Sequence, residues 1–163
     1  MPKLTDSERT EFLAAPSILM RIACVRADGS PLITPIWFIY QNNAIYFTPR
    51  AQSEWLACLR HENRIGLCID EQDLHYRKVI IEVRAELLYD IGEDTEWSDL
   101  YRRIAGRYIR TEAADSYVQN TIDQKRALWR VTLANSSVKS WRMPLDNEPA
   151  NGCLLYTSDA ADE

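Results

Sequence analysis

The chain has 163 residues, a formal net charge of −5 and 26% charged side chains. That length lets one domain bury roughly 70% of its unfolded-chain surface, and the composition excludes a disordered chain. An acidic total argues against a nucleic-acid or anionic-membrane partner, and no apolar run approaches the roughly 20 residues that span a bilayer.

The amino-terminal MPKLTDSERTEF is charged and has no apolar signal core. The four cysteines, Cys24, Cys58, Cys68 and Cys153, form no CxxC pair and no metal spacing. Three of them sit in apolar patterns, where a buried reduced thiol is the usual state. A cytoplasmic protein is expected. Thr5 followed by Glu8 is a capping box, so a short helix runs from Glu8 to Ala15 with Phe12 and Leu13 inward. Ser17 to Ala27 reads as a strand, Asp28-Gly29-Ser30-Pro31 as a turn, and Leu32 to Tyr40 as the returning strand. The polar break Gln41-Asn42-Asn43 joins it to Ala44–Thr48 as a β-hairpin.

Pro49 cannot donate to a ladder, so pairing stops there. Ser53 to Glu62 then carries Trp55, Leu56 and Leu59 at helical spacing, with Asn63 as the cap. Thr48, Arg50, Ser53 and backbone N–H groups thus converge where a strand feeds a helix start, which is an anion site in outline. The competing reading is a surface Arg beside an ordinary Ser cap.

Ile65–Ile69 is a compact strand, Asp70–Asp73 an acidic loop, and Val79–Leu88 a strand with one wet face. Glu93 to Ile109 is the clearest helix, with Arg102, Arg103, Arg107 and Arg110 as its solvated side. A second helix over Ala113–Ile122 and strands over Leu128–Leu133 and Val138–Arg142 complete the pattern. His61 and His75 lack metal spacing or a nucleophile nearby and read as surface residues. Glu82 and Glu86 share a strand face but find no partner for acid–base catalysis. Residues 1–152 form one predicted domain; GCLLYTSDAADE has no periodicity and resembles translated adapter read-through, so 153–163 are set apart as a non-native tail.

Roughly six strands, a helix after the third and a helical insertion before the last suggest a mainly β fold with flanking helices, a closed barrel. VRADGSPLITPIWFIYQNNAIYFTPRAQSEWLACLRHENRIGLCID, with the later YRKVIIEVRAEL and the closing SWRMP, resembles the pyridoxamine 5′-phosphate oxidase-like family of FMN-binding split-barrel proteins. The resemblance runs from about Leu4 to Gly152. It implies a homodimer with flavin sites at the subunit interface, and an oxidoreductase acting on a small molecule with FMN or the deazaflavin coenzyme. It further implies that Phe47, Thr48, Pro49, Arg50 and Ser53 contact the cofactor and its phosphate. Trp37 would lie along the ring system, or else pack in the core or dimer interface. Lys78, just before its strand, would reach the cofactor, and Trp141 and Arg142 would approach from the partner subunit. Non-catalytic flavin or haem binding is the alternative function.

Two departures stand out. Glu54-Trp55 replaces an Arg-Lys pair of pyridoxamine-phosphate oxidase itself, and a carboxylate there is expected to repel a phosphate. Trp55 then either packs on the cofactor edge or holds the helix to the barrel, and the phosphate charge falls to Arg50 and Lys78. Val83 stands where the family often has glycine.

Overall fold

The computed structural model describes residues 1–109, 111–121, 123–146 and 148. The capping box forms as the sequence predicts. The Thr5 hydroxyl accepts from the Glu8 N–H at 3.2 Å, and Glu8 accepts from the Thr5 N–H at 2.7 Å. It opens α1 (Asp6–Ala14), which buries Phe12 and Leu13 completely.

Nine strands follow among the described residues: β1 (Met20–Val25), β2 (Pro31–Ile36), β3 (Ile39–Gln41), β4 (Ala44–Phe47), β5 (Arg64–Asp70), β6 (Lys78–Arg84), β7 (Glu86–Tyr89), β8 (Leu128–Thr132) and β9 (Ser137–Trp141). Helix α2 (Glu54–His61) follows β4, while α3 (Ser98–Gly106) and α4 (Thr111–Asn120) lie between β7 and β8. All pairings are antiparallel, in a five-stranded sheet β2-β1-β5-β6-β9 and a four-stranded sheet β3-β4-β8-β7. The mainly β class with flanking helices is as expected. Two separately hydrogen-bonded sheets are consistent with the expected split barrel, and the described residues show no closed one.

The chain changes sheet four times, twice inside a stretch that reads as one strand. The first of these two is at Trp37-Phe38. Tyr108 Oη accepts the Phe38 N–H at 3.0 Å, and Arg107 Nη1 donates to the Phe38 carbonyl at 2.7 Å. These backbone groups are therefore satisfied by the helical insertion rather than by a ladder. The second is at Ala85, whose N–H donates to the Asn63 carbonyl at 2.8 Å and whose carbonyl accepts from Asn63 Nδ2 at 3.0 Å. Asn63 therefore joins the two sheets and does not cap α2, which ends with the Glu62 N–H on the Cys58 carbonyl. Glu82 and Glu86 consequently lie in different sheets, with Glu86 paired to Arg130 at 2.7 Å. The hairpin between β3 and β4 forms as expected: Asn42 and Asn43 take φ of 52° and 56°, and Gln41 pairs with Ala44. Both residues tolerate the left-handed region that such a two-residue turn requires.

Two cores result. The larger joins α1, α2 and the inner faces of both sheets through Phe12, Met20, Ile22, Phe38, Ile45, Phe47, Leu59, Leu67, Ile69 and Ile81. Val83, the residue standing for a frequent glycine, packs against it. The smaller lies between α3, α4 and the outer face of the four-stranded sheet. In β4 and β8 alternate residues serve the two cores: Ile45, Phe47, Trp129 and Val131 face one, Tyr46 and Leu128 the other. The period-2 geometry of a strand produces that division.

Arg107 overturns the expected solvated face of α3. Its guanidinium donates to the carbonyls of Phe38, Leu13 and Ala15 and lies 4.3 Å over the Phe38 ring. Burial pulls its pKa below the ordinary arginine range. It binds the end of α1 to the crossing between the sheets, while Arg102 and Arg103 remain exposed. Arg110 and the tail 153–163 lie outside the described residues. No helix among the described residues is long and apolar enough to cross a membrane.

Candidate functional site

Five of the residues singled out in the sequence meet in one cavity of about 450 Å³: Trp37, Thr48, Arg50, Ser53 and Trp55. Trp37 leaves the sheet at the first crossing. Its ring stacks on Tyr108 at 5.0 Å with 4° between planes, and tilts against Tyr117 at 5.3 Å. Tyr108 is itself fixed, donating to the Ile18 carbonyl at 2.9 Å. Trp55 comes from the first turn of α2 and packs on buried Phe47 with centroids 6.0 Å apart. It therefore serves both expected roles, tying α2 to the core and lining the cavity. Phe47 lies wholly in the core, and Pro49 contributes its carbonyl to the Ala127 N–H at 3.0 Å.

That last bond is one of a pair. The Ala51 N–H donates to the Lys125 carbonyl at 2.8 Å, so the two bonds flank an isolated antiparallel bridge between Arg50 and Arg126. Side chains directly opposite in such a non-hydrogen-bonded pair project to the same side and approach closely. Two cations are thus set face to face, an arrangement that destabilises the pairing unless something negative lies between them. None of the described wall residues is acidic.

Arg126 is the residue that the sequence reading missed. Only 6% of it is exposed. Its Nη1 donates to the Thr48 carbonyl at 3.4 Å, its guanidinium lies 4.5 Å over the Tyr101 ring, and its Nε and Nη2 have no acceptor among the described residues. Burial and the neighbouring Arg50 charge push its pKa down. The only signal was a basic Lys125-Arg126 dipeptide before a strand. Arg50, more exposed, donates to the Tyr117 hydroxyl at 3.1 Å.

Glu54 does not repel an anion here. It turns to Arg26 at 2.6 Å, away from the cavity walls, and that bond lowers its pKa. Arg26 is held in place by the Asp28–Ser30 turn, where its N–H bonds the Ser30 carbonyl at 2.9 Å. Ser53 occupies the N-cap position without capping. Its hydroxyl proton goes to the Arg50 carbonyl at 2.7 Å, leaving only acceptor capacity toward the cavity.

Lys78, Trp141 and Arg142 do not line the cavity. Lys78 and Trp141 pair across β6 and β9, with the ammonium 5.9 Å over the indole, at the opposite edge of the sheet from β2. Arg142 is clamped by Glu8 at 3.0 Å and Glu148 at 2.6 Å. It would have to leave both to touch a cofactor. The Thr5 N–H and then Arg142 lower the Glu8 carboxyl pKa, and Arg142 brings that of Glu148 to about 2. Both lie below the ordinary glutamate value of about 4.3, so the stabilisation is complete above that value and disappears as pH falls through the folded-state value. The Tm difference between wild type and Arg142→Met should therefore be largest near pH 7 and shrink steadily below about pH 4. A difference constant from neutral pH to about pH 3 would contradict the clamp.

Two larger depressions, on the outer face of β1, β5 and β6 and beneath the end of α2, gather none of the predicted residues.

Mainly antiparallel sheets with flanking helices and one cationic, aromatic-walled cavity define the class of protein. Residues 6–139 match the family described as pyridoxamine 5′-phosphate oxidase, and the chain belongs to that family. No curated protein matches it. Solved structures share the fold at low identity. A conserved hypothetical protein from Mycobacterium tuberculosis has TM-score 0.66 and 20% identity, covering 85% of each chain. An F420 reductase has 0.59 and 19%, covering 85% of this chain and 98% of its own. An FAD-binding protein from Mesorhizobium loti has 0.56 and 21%, covering 85% and 95%.

Proposed function

We propose that the chain is an oxidoreductase that holds a flavin-type cofactor, FMN in the first instance, in the Trp37–Trp55 cavity and acts on a small molecule. The observation that carries this reading is the opposed pair Arg50 and Arg126 in a cavity with aromatic walls and no carboxylate. A planar ring system ending in a phosphate matches that arrangement: the aromatic walls accept the ring, and the two guanidiniums accept the anion. When bound, such a cofactor supplies the hydride chemistry. The chain's own part is then to orient and shield. Trp37, locked on Tyr108, and Trp55, locked on Phe47, give rigid apolar walls. Arg50 and buried Arg126 offset negative charge. The F420 reductase among the fold relatives supports a deazaflavin coenzyme as the alternative occupant.

A homodimer belongs to the same proposal. β2 is a sheet edge that exposes Ile33 at 67%, and Leu19 and Pro35 carry the apolar surface into the cavity wall. Exposed apolar edges of this kind mark association surfaces. Lys78 and Trp141 stand at the other edge of the sheet, so a second copy is their route to the site.

Protein purified with excess FMN should show a two-band flavin spectrum that bleaches with a hydride donor and recovers with an acceptor. One long-wavelength band with the deazaflavin coenzyme would favour the alternative. Bound cofactor that never bleaches would reduce the function to storage, and uptake of neither would refute the reading.

A further inference from the structure

The segment between β7 and β8 encloses a second, smaller cavity of about 170 Å³. It adjoins the first and shares Tyr101 and Arg126 with it. Trp97, Ser98, Val118 and Lys125 supply other parts of its wall.

Two of these wall residues carry buried N–H donors without an acceptor among the described residues: Trp97 through Nε1, and Arg126 through Nε and Nη2. They are only 5% and 6% exposed. Tyr101 ties them together, meeting the Trp97 ring edge-on at 6.2 Å and carrying the Arg126 guanidinium on its face at 4.5 Å. Unpartnered buried donors are rare, and each calls for an acceptor that the chain does not supply. The acid in the wall, Asp94, does not supply it: its two oxygens accept from the backbone N–H groups of Arg126 at 2.8 Å and Gly92 at 3.3 Å. Arg102 is spent on Asp99 and Asp115.

The open edge of Arg126 is informative. Nη1 is held by the Thr48 carbonyl. Nε and Nη2 form the remaining side-on fork, whose two parallel N–H bonds match the two oxygens of a carboxylate. Trp97 is not in the wall of the larger cavity, so an acceptor that also satisfies its indole sits in the smaller one. A volume of about 170 Å³ amounts to the liquid share of only about five or six waters, which limits the ligand to a small molecule.

We propose that this cavity is a binding site for a small carboxylate, held by the Nε–Nη2 fork of Arg126 and by the indole N–H of Trp97. The site shares Arg126 with the larger cavity, where Arg50 remains to meet an anion.

The test titrates the purified full chain with sodium acetate and sodium benzoate at constant ionic strength, following Tm. Benzamide, with the outline of benzoate and no charge, is the control. At least one carboxylate should raise Tm saturably while benzamide does not. Trp97→Phe, which removes the indole donor while keeping an aromatic ring, should weaken that binding about tenfold, read as the carboxylate-induced rise above that variant's own unliganded Tm. Arg126→Met should abolish it. The proposal is overturned if neither carboxylate shifts Tm, if benzamide matches benzoate, or if Trp97→Phe binds as tightly as wild type. Inorganic phosphate that outcompetes the carboxylate equally in wild type and Trp97→Phe would assign the fork to the larger cavity instead, and also overturns it.

Discussion

Arg50→Glu should weaken FMN binding by about a hundredfold or more and riboflavin binding by less than about threefold. A charge-assisted hydrogen bond is worth about 1.5–3 kcal/mol, and the substitution both removes one and sets a carboxylate beside the phosphate. Loss of the fold is not the expected cause of such an effect. Arg50 faces Arg126 across the isolated bridge, so a glutamate replaces a like-charge pair by an opposite one. Cross-strand pairs of that kind stabilise by about 0.2–1 kcal/mol. The unliganded variant is therefore expected to melt at or above the wild-type temperature. Parallel fluorescence titrations with the two flavins decide the matter, because they differ only in the phosphate. Equal losses for both would remove the phosphate from this end of the cavity.

Arg107→Met carries the largest expected effect on stability, a loss of about 3–5 kcal/mol. The carbonyls of Leu13 and Ala15 lose their Arg107 donor at one stroke, and that of Phe38 keeps only the Tyr108 hydroxyl at 3.3 Å. Each then sits half-buried beside an apolar side chain that cannot replace it. The loss is a large share of the total of about 5–15 kcal/mol expected of a domain. Urea unfolding with an unchanged m-value should report it directly. A loss under about 1 kcal/mol would mean that the α1 end and the Trp37-Phe38 crossing are held by other contacts, Tyr108 foremost. Because Trp37 leaves the sheet at that crossing, the variant should also loosen the cavity wall.

These residues show what the sequence could and could not disclose. The β3–β4 hairpin was legible because its cause is local: Asn42 and Asn43 accept the left-handed backbone that the turn requires. The capping box of α1 was legible for the same reason. The two sheet crossings inside strand runs were not. Trp37-Phe38 and Ala85 lie within continuous runs of strand-forming residues. The groups that break them arrive from afar: Tyr108 lies 70 residues beyond Phe38, and Asn63 lies 22 residues before Ala85.

The candidate site divides along the same line. Thr48, Arg50, Ser53 and Trp55 fall within one strand-to-helix junction, and local chemistry together with the family resemblance located them. Trp37 joins them through the preceding strand. Arg126 enters through an isolated bridge to Arg50, 76 positions away in the chain (126 against 50). No local pattern announces such a pairing. Glu54 was misjudged because its partner, Arg26, lies across the preceding turn and strands. Arg107 was misjudged because helical periodicity reports which face is polar, not which polar groups wait opposite it.

The most direct measurement is a fluorescence titration of FMN into the purified wild-type chain. Stacking against the walls formed by Trp37 and Trp55 should quench the flavin to saturation at one FMN per chain, and Arg50→Glu should shift the curve to far higher protein concentration. Free flavin fluorescence persisting with the protein in large excess, or a quench that Arg50→Glu leaves in place, would contradict the cofactor site proposed here.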